Sequence, residues 1–221
     1  MILKKQSKNK KEKKQVSWKL RLLARFVSLM FFCFVAIVIY VFIVFLQMPS
    51  LDSMLNETRQ PSITFIDKNG YEIRSVNKIM GAPVSVKTLP AYVWQSIVAI
   101  EDKRFFNHGA VDFIGLLRAT ITNLHTGRIA AGGSSLTQQT AKNIFLSPRK
   151  TIKRKVQEVL LAYWLENRFS KQQILDLYMN RVSLVRGMRG IDAAARDLFQ
   201  KPAKELTLAE SVQIAAMLKA P

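Results

Sequence analysis

The sequence predicts a mainly α-helical outer domain behind a single transmembrane helix, with a small β-hairpin near the membrane. Three observations carry that reading. Residues 26–46 are 21 consecutive residues without a charge. Beyond them apolar residues recur at helical spacing through most of the chain. One Asn-Gly pair, Asn69-Gly70, stands between two β-rich runs, which is where a tight hairpin turn is expected.

Composition supports a chain divided in two. It has 221 residues, 34 Lys+Arg against 15 Asp+Glu, a net charge of +19, and is nonetheless 49% apolar. A disordered polycation would be poorer in apolar residues. One cysteine excludes a disulfide framework or a cysteine-based zinc site within the chain, and two histidines argue against a multi-histidine metal site. Residues 1–25 hold ten Lys/Arg and one acid, Glu12, so +9 of the charge lies there. The 21 residues from Phe26 to Leu46 then suffice to span a hydrocarbon core of roughly 30 Å. A cleaved signal peptide fits less well, because its apolar region is shorter and Gln47-Met48-Pro49-Ser50 is not a small-residue cleavage site. The expected organisation is a basic cytoplasmic tail (1–25), a transmembrane helix (26–46), a polar linker (47–61) and an outer domain (62–221). Beside a membrane span the basic tail reads as a topogenic, lipid-attracting segment rather than a nucleic-acid site.

The outer domain begins with the hairpin, Ile63–Asp67 and Tyr71–Ser75 around Lys68-Asn69-Gly70. Pro90 suits a first helical turn, followed by Val93, Trp94, Ile97 and Ile100. Asp112 can cap a helix bearing Phe113, Leu116, Leu117, Thr120 and Leu124, which Gly127 ends. Ile152, Val156, Val159, Leu160 and Tyr163 mark a longer helix. Ser170 with Gln173, and Thr207 with Glu210, have the spacing of capping boxes. These apolar stripes are expected in the core.

Four stretches depart from simple amphipathic pattern. Glu101 and Asp102 end an apolar helix and abut Lys103, Arg104, Phe105, Phe106 and His108. Gly132-Gly133-Ser134-Ser135 precedes the polar run Thr137, Gln138, Gln139, Thr140, Lys142 and Asn143, so free N–H groups at a helix start could cradle an anion. Arg149, Lys150, Lys153, Arg154 and Lys155 are five cations in seven residues, and Glu158 shares a helix face with Arg154. Arg186-Gly187-Met188-Arg189-Gly190 is a glycine-punctuated turn.

Taken in this order, the stretches resemble the peptidoglycan glycosyltransferase family, which includes the polymerase modules of class A penicillin-binding proteins and the monofunctional transglycosylases. Glu101, Asp102, Phe105 and His108 match its first motif, Gly132–Asn143 its second, and Arg154, Lys155 and Glu158 its third. Lys171–Asn180 and Arg186–Gly190 resemble the last two. Ala110 and Gln200 stand where the family usually has glycine, Ser135 where it has threonine, and Asp176 where it has glutamate. The resemblance covers roughly residues 61–221, and family members continue beyond the position of Pro221, so the module is expected to be incomplete at that end.

The resemblance implies a lysozyme-like, mainly α fold and polymerisation of lipid II into β-1,4 glycan, with inversion at MurNAc C1 and release of undecaprenyl pyrophosphate. It implies Glu101 as general base, with Glu158 as a second catalytic carboxylate that orients cations, helps hold a metal or positions the acceptor. Asp102, Phe105, His108, Ser135, Gln139, Lys142, Asn143, Arg149, Arg154 and Lys155 are the expected substrate-binding set. A divalent cation, Mg or Mn, fits near Glu158, and no organic cofactor is implied. The implied partners are lipid II, the growing glycan, the membrane and cell-wall synthesis proteins, with no nucleic acid. The implied location is the bacterial inner membrane, single-pass, with the N-terminus cytoplasmic and the catalytic domain periplasmic. Within residues 113–131 the family has a lipid-facing hydrophobic jaw; a core helix would show the same stripe. The alternatives are a lysozyme-like glycan-cleaving enzyme and a membrane-anchored cell-wall scaffold with a decayed site.

Overall fold

The computed structural model describes residues 2–48, 63–69, 72–76, 81–127, 132–146, 149, 151–184 and 188–219. The chain divides into two compact units, Met1–Met48 and Pro49–Pro221.

The first unit is one helix, α1 (Ile2–Leu46). Its apolar part, Leu20–Leu46, is 27 residues long, and its most apolar 18-residue stretch has a mean hydropathy of 3.2 and almost no burial. At 1.5 Å per residue that is about 40 Å, more than a hydrocarbon core needs. Most of its apolar side chains are exposed, Phe26 at 61% and Leu46 at 66% among them, although Val44 is buried. An N-terminal apolar helix of this kind fits a single-pass membrane anchor.

The second unit is mainly helical. It opens with strands β1 (Ile63–Ile66) and β2 (Glu72–Val76), which pair antiparallel. Ile63 faces Val76, Phe65 faces Arg74, and the register slips between Phe65 and Ile66. At the turn, Asp67 Oδ1 accepts the Asn69 N–H at 2.8 Å. Gly70, the second half of the expected turn, lies outside the described residues.

Residues 81–90 then run in irregular conformation across the later helices. The helices follow in order: α2 (Ala91–Glu101), a 3-10 turn (Phe105–Asn107), α3 (Phe113–Thr126), α4 (Leu136–Phe145), α5 (Ile152–Arg168), α6 (Lys171–Arg181), α7 (Ile191–Phe199), a second 3-10 turn (Ala203–Glu205) and α8 (Leu208–Lys219). Local chemistry sets their ends. Ser135, Thr151 and Ser170 each accept an amide of the first turn that follows, and Ser170 with Gln173 closes a capping box. Thr207 and Glu210 bond reciprocally in the same way. Gly127 ends α3 in the left-handed region, at φ 64°.

The core has α4 packed between α5 and α6, and α2 packed on α8. Leu136, Leu165, Ile174, Leu175 and Met179 are completely enclosed there. Each such side chain contributes about 1.5–3 kcal/mol relative to exposure. Two expected core stripes lie elsewhere. On α5, Ile152 is 78% exposed and Tyr163 47%, while Glu158, Leu161, Ala162 and Leu165 face inward. The flanking helices α4 and α6, not the strongest apolar pattern, decide which face of α5 is covered. On α3, Phe113, Ile114, Leu117, Ile121 and Leu124 are exposed, and Ala119 is the buried position.

Candidate active site

The site is built where α2 ends. Glu101 is the last residue of α2 and is partly exposed. Its Oε2 accepts the Gln139 Nε2–H at 2.7 Å, so a side chain of α4 aims it. Tyr178 of α6 is enclosed, and burial together with the charge of Glu101 pushes its phenol well above the ordinary value.

Asp102, the next residue, is buried. Its Oδ2 accepts the Leu136 N–H at 2.9 Å, which anchors the start of α4. His108 Nε2 lies 3.0 Å from both Asp102 oxygens, and its Nδ1 lies 2.6 Å from the Gly109 carbonyl. Both ring nitrogens therefore face acceptors. Ser135 caps α4 and donates to the Ala110 carbonyl at 2.6 Å, in a buried position. Phe105 is fully enclosed. Asp102 and Ser135 thus line the cleft from buried positions, while Phe105 is enclosed outside its lining.

The cleft is about 230 Å³, between the end of α2, α3 and the Gly132–Ser135 loop. Lys103, Arg104 and Arg118 line it beside Glu101 and Ser134. The sequence marks Lys103 and Arg104 beside the two acids without giving them a role, and Arg118 is not singled out. Arg118 carried a signal, as the one charge in the apolar run Phe113–Ile121. Arg104 Nη1 stands 3.8 Å from Asp112 Oδ1. Burial opposes ionisation of Asp112, but the N–H groups of Gly115 and Ile114 and the charges of Arg104 and His108 outweigh it, and its pKa is lowered.

Glu158 forms a second corner. It is 3% exposed, with Lys155 Nζ at 3.0 Å from one oxygen and Arg154 Nη1 at 3.1 Å from the other. Lys155 also donates to Ser134 Oγ at 2.7 Å and to Gln138 Oε1 at 3.2 Å, which ties this corner to the glycine loop. Glu158 Oε1 and Arg154 Nε are buried without a hydrogen bond, so the Arg154 contact is an ion pair of poor alignment. Lys142 and Asn143 are half-buried on α4, and Arg149 is exposed.

Among the described residues, the carboxylate and imidazole groups that converge are Asp102, His108 and Asp112, with ligand atoms within 4.8 Å of one another. This cluster is compatible with a divalent cation. It is not the expected position near Glu158, where two cationic side chains already face the carboxylate.

The family model for transglycosylases matches residues 69–221. Penicillin-binding protein 1F of Bacillus subtilis is 36% identical over 203 residues, which is 92% of this chain and 28% of the relative. Penicillin-binding protein 1A of Neisseria gonorrhoeae is 36% identical over 185 residues, 84% of this chain and 23% of its own. That of Aquifex aeolicus is 35% identical over 188 residues, 85% of this chain and 26% of its own. The chain spans about a quarter of the length of these curated relatives.

Proposed function

The chain belongs to the transglycosylase family, and on that premise we propose that it is a membrane-anchored peptidoglycan glycosyltransferase acting on lipid II. The observation that carries the proposal is the placing of Glu101: a partly exposed carboxylate, aimed by Gln139, on a cleft lined by Lys103, Arg104 and Arg118.

The acceptor's GlcNAc 4-hydroxyl attacks C1 of the donor MurNAc. The new β-1,4 C–O bond forms as the C1–phosphate bond breaks, with inversion. Glu101 takes the hydroxyl proton, because a sugar hydroxyl is a poor nucleophile without a positioned base. Undecaprenyl pyrophosphate leaves with the bonding pair. It needs cationic stabilisation more than a proton, and Lys142, Arg149, Arg154 and Lys155 are suited to that. Glu158 orients Arg154 and Lys155. Two cations on Glu158 favour phosphate handling over hydrolysis, which relies on a protonated carboxyl and a second carboxylate. Asp102 and Ser135 line the cleft, His108 holds Asp102, Phe105 packs behind it, Gln139 aims Glu101, and Asn143 follows Lys142 on α4. A divalent cation, Mg or Mn, would be held by Asp102, His108 and Asp112, and would supply positive charge for the pyrophosphate.

The anchor meets a lipid-linked substrate within the bilayer. Ten Lys/Arg against one acid before the span favour a cytoplasmic N-terminus, with the catalytic unit on the periplasmic side of the bacterial inner membrane.

The test is polymerisation of lipid II by the full chain. Glu101→Gln should lower glycan yield at least about a hundred-fold, the usual scale for losing a general base, while the protein stays folded. Near-normal yield would sink the assignment. Release of fragments from finished glycan, with none formed from lipid II, would favour the hydrolase instead.

A further inference from the structure

Two polar residues away from the cleft, Glu166 near the end of α5 and Lys171 at the start of α6, take no part in the chemistry above. Their side chains are only 16% and 20% exposed. Glu166 Oε1 accepts Thr137 Oγ1 at 2.5 Å and Lys171 Nζ at 2.7 Å. Lys171 Nζ in turn sits 4.5 Å from the centroid of the Phe105 ring, a cation–π contact with an enclosed aromatic.

These contacts close a ring. Phe105 lies four residues after Glu101. Thr137 lies two residues before Gln139, and Gln139 holds Glu101 at 2.7 Å. One ion pair therefore pins both segments whose side chains meet in the site: the turn after α2, through Phe105, and the first turn of α4, through Thr137. Thr137 and Gln139 project about 200° apart around α4. Glu166 thus grips the side of the helix facing away from Glu101. Rotation of α4 that would loosen the Gln139–Glu101 bond must also break the bond from Thr137.

We propose that Glu166 and Lys171 are positioning residues that set the Gln139–Glu101 hydrogen bond, and so the aim of the base. This inference rests on the glycosyltransferase reading for its kinetic consequence but not for its structural one.

The experiment uses the full chain in detergent micelles, as wild type, Glu166→Ala, Gln139→Ala and the double variant. Nitrogen-15 labelling of glutamine follows the Gln139 side-chain amide, identified by its loss in Gln139→Ala. In Glu166→Ala that resonance should move to the position of a solvated glutamine. On lipid II, kcat should fall about ten- to a hundred-fold, the scale of a slight misplacement of a reacting group, with KM within about two-fold. The double variant should be no slower than Gln139→Ala alone. A Gln139 resonance that stays in place, or two kcat losses that multiply, would overturn the proposal. Should Glu166→Ala fail to fold, the isosteric Thr137→Val removes the Thr137–Glu166 bond from its other end, and the same outcomes apply. If the wild type forms no glycan the glycosyltransferase reading falls, and the resonance alone decides whether Glu166 positions Gln139.

Discussion

Asp192 accepts the backbone N–H of Ala82 at 2.7 Å, across 110 residues of chain. The same carboxylate accepts the Ala203 N–H at 2.9 Å and pairs with Arg196 Nε at 2.8 Å. It is one of three side chains that clasp the segment before α2. Asn180 Oδ1 accepts from Val84 N–H at 2.9 Å, and Asp176 Oδ1 accepts from Val86 N–H at 2.6 Å. The motif around Asp176 and Asn180 thus works through the backbone. It fastens residues 82–86, and α2, with Glu101 at its end, follows directly.

This clasp predicts a large stability loss for Asp192→Ala. The substitution strands two amides, while Arg196, with its side chain 54% exposed, keeps its contact with water. The cost expected is roughly 2–5 kcal/mol. Gly81→Ala should be comparably harmful, since a Cβ there would stand 2.3 Å from the Ala193 backbone nitrogen. Denaturant titration of the full chain, followed by tryptophan fluorescence, measures both. A loss below about 1 kcal/mol for Asp192→Ala would show that the clasp is dispensable.

The exposed face of α3 predicts membrane affinity independent of α1. Phe113 is 69% exposed, Leu117 61% and Leu124 79%. The hydroxyls of Thr120 and Thr122 on this helix donate to its own carbonyls at 2.8 and 3.0 Å, so no hydroxyl donor is stranded when the face enters an apolar layer. Replacing Phe113, Leu117 and Leu124 by serine should release the protein without α1 from liposomes, provided circular dichroism shows the fold intact. Unchanged co-sedimentation would mean the face meets something other than lipid.

How far the sequence carries depends on range. The Ser170 and Thr207 caps were legible because partner and cap lie three residues apart. The carboxylates Glu101 and Glu158 were legible as acids beside apolar runs. The Asp192–Ala82 bond was not, since nothing local marks a pairing over 110 residues. Nor was the phase of α5: its apolar stripe named Ile152 and Tyr163, yet packing against α4 and α6 enclosed Glu158 and Leu161. The exposure of α3 was undecidable, because an amphipathic stripe looks the same facing a core or a bilayer. Nothing in the sequence marks Glu166, Lys171 stands out only as the first residue of the Lys171–Asn180 motif, and only the fold brings them to Thr137 and Phe105.

Gln200 ends α7 at φ 57°, the one non-glycine with positive φ among the described residues. A side chain there costs about 1–2 kcal/mol of local strain. Gln200→Gly removes that strain but adds freedom to the unfolded chain, which offsets part of the gain. The net expectation is stabilisation of about 0.5–1 kcal/mol, measured by the same titration. A destabilised variant would mean that the Gln200 Nε2–H bond to the Asp197 carbonyl, at 3.1 Å, outweighs the strain.

Glu210 predicts where acid begins to loosen the C-terminal helix. Its side chain pairs with Lys201 Nζ at 2.8 Å and accepts from Thr207, through both the N–H and the hydroxyl. The Lys201 bond first, then those from Thr207, hold its pKa at about 2, against an ordinary value of 4.5. A depressed carboxyl binds its proton more readily in the unfolded chain than in the folded one. Stability from this group is therefore complete above about pH 4.5 and drains away as pH falls towards 2. Asp192 acts in the same direction: burial opposes its charge, but the Ala203 N–H, Arg196 and the Ala82 N–H prevail and its pKa is lowered. Glu210→Gln keeps a side chain able to cap Thr207 while removing the charge that meets Lys201. Thermal midpoints of the full chain from pH 7 to 2.5 should then converge, the wild type losing its advantage over Glu210→Gln on the acid side. Two curves that stay parallel through that range would show that the Glu210 charge contributes nothing to the fold.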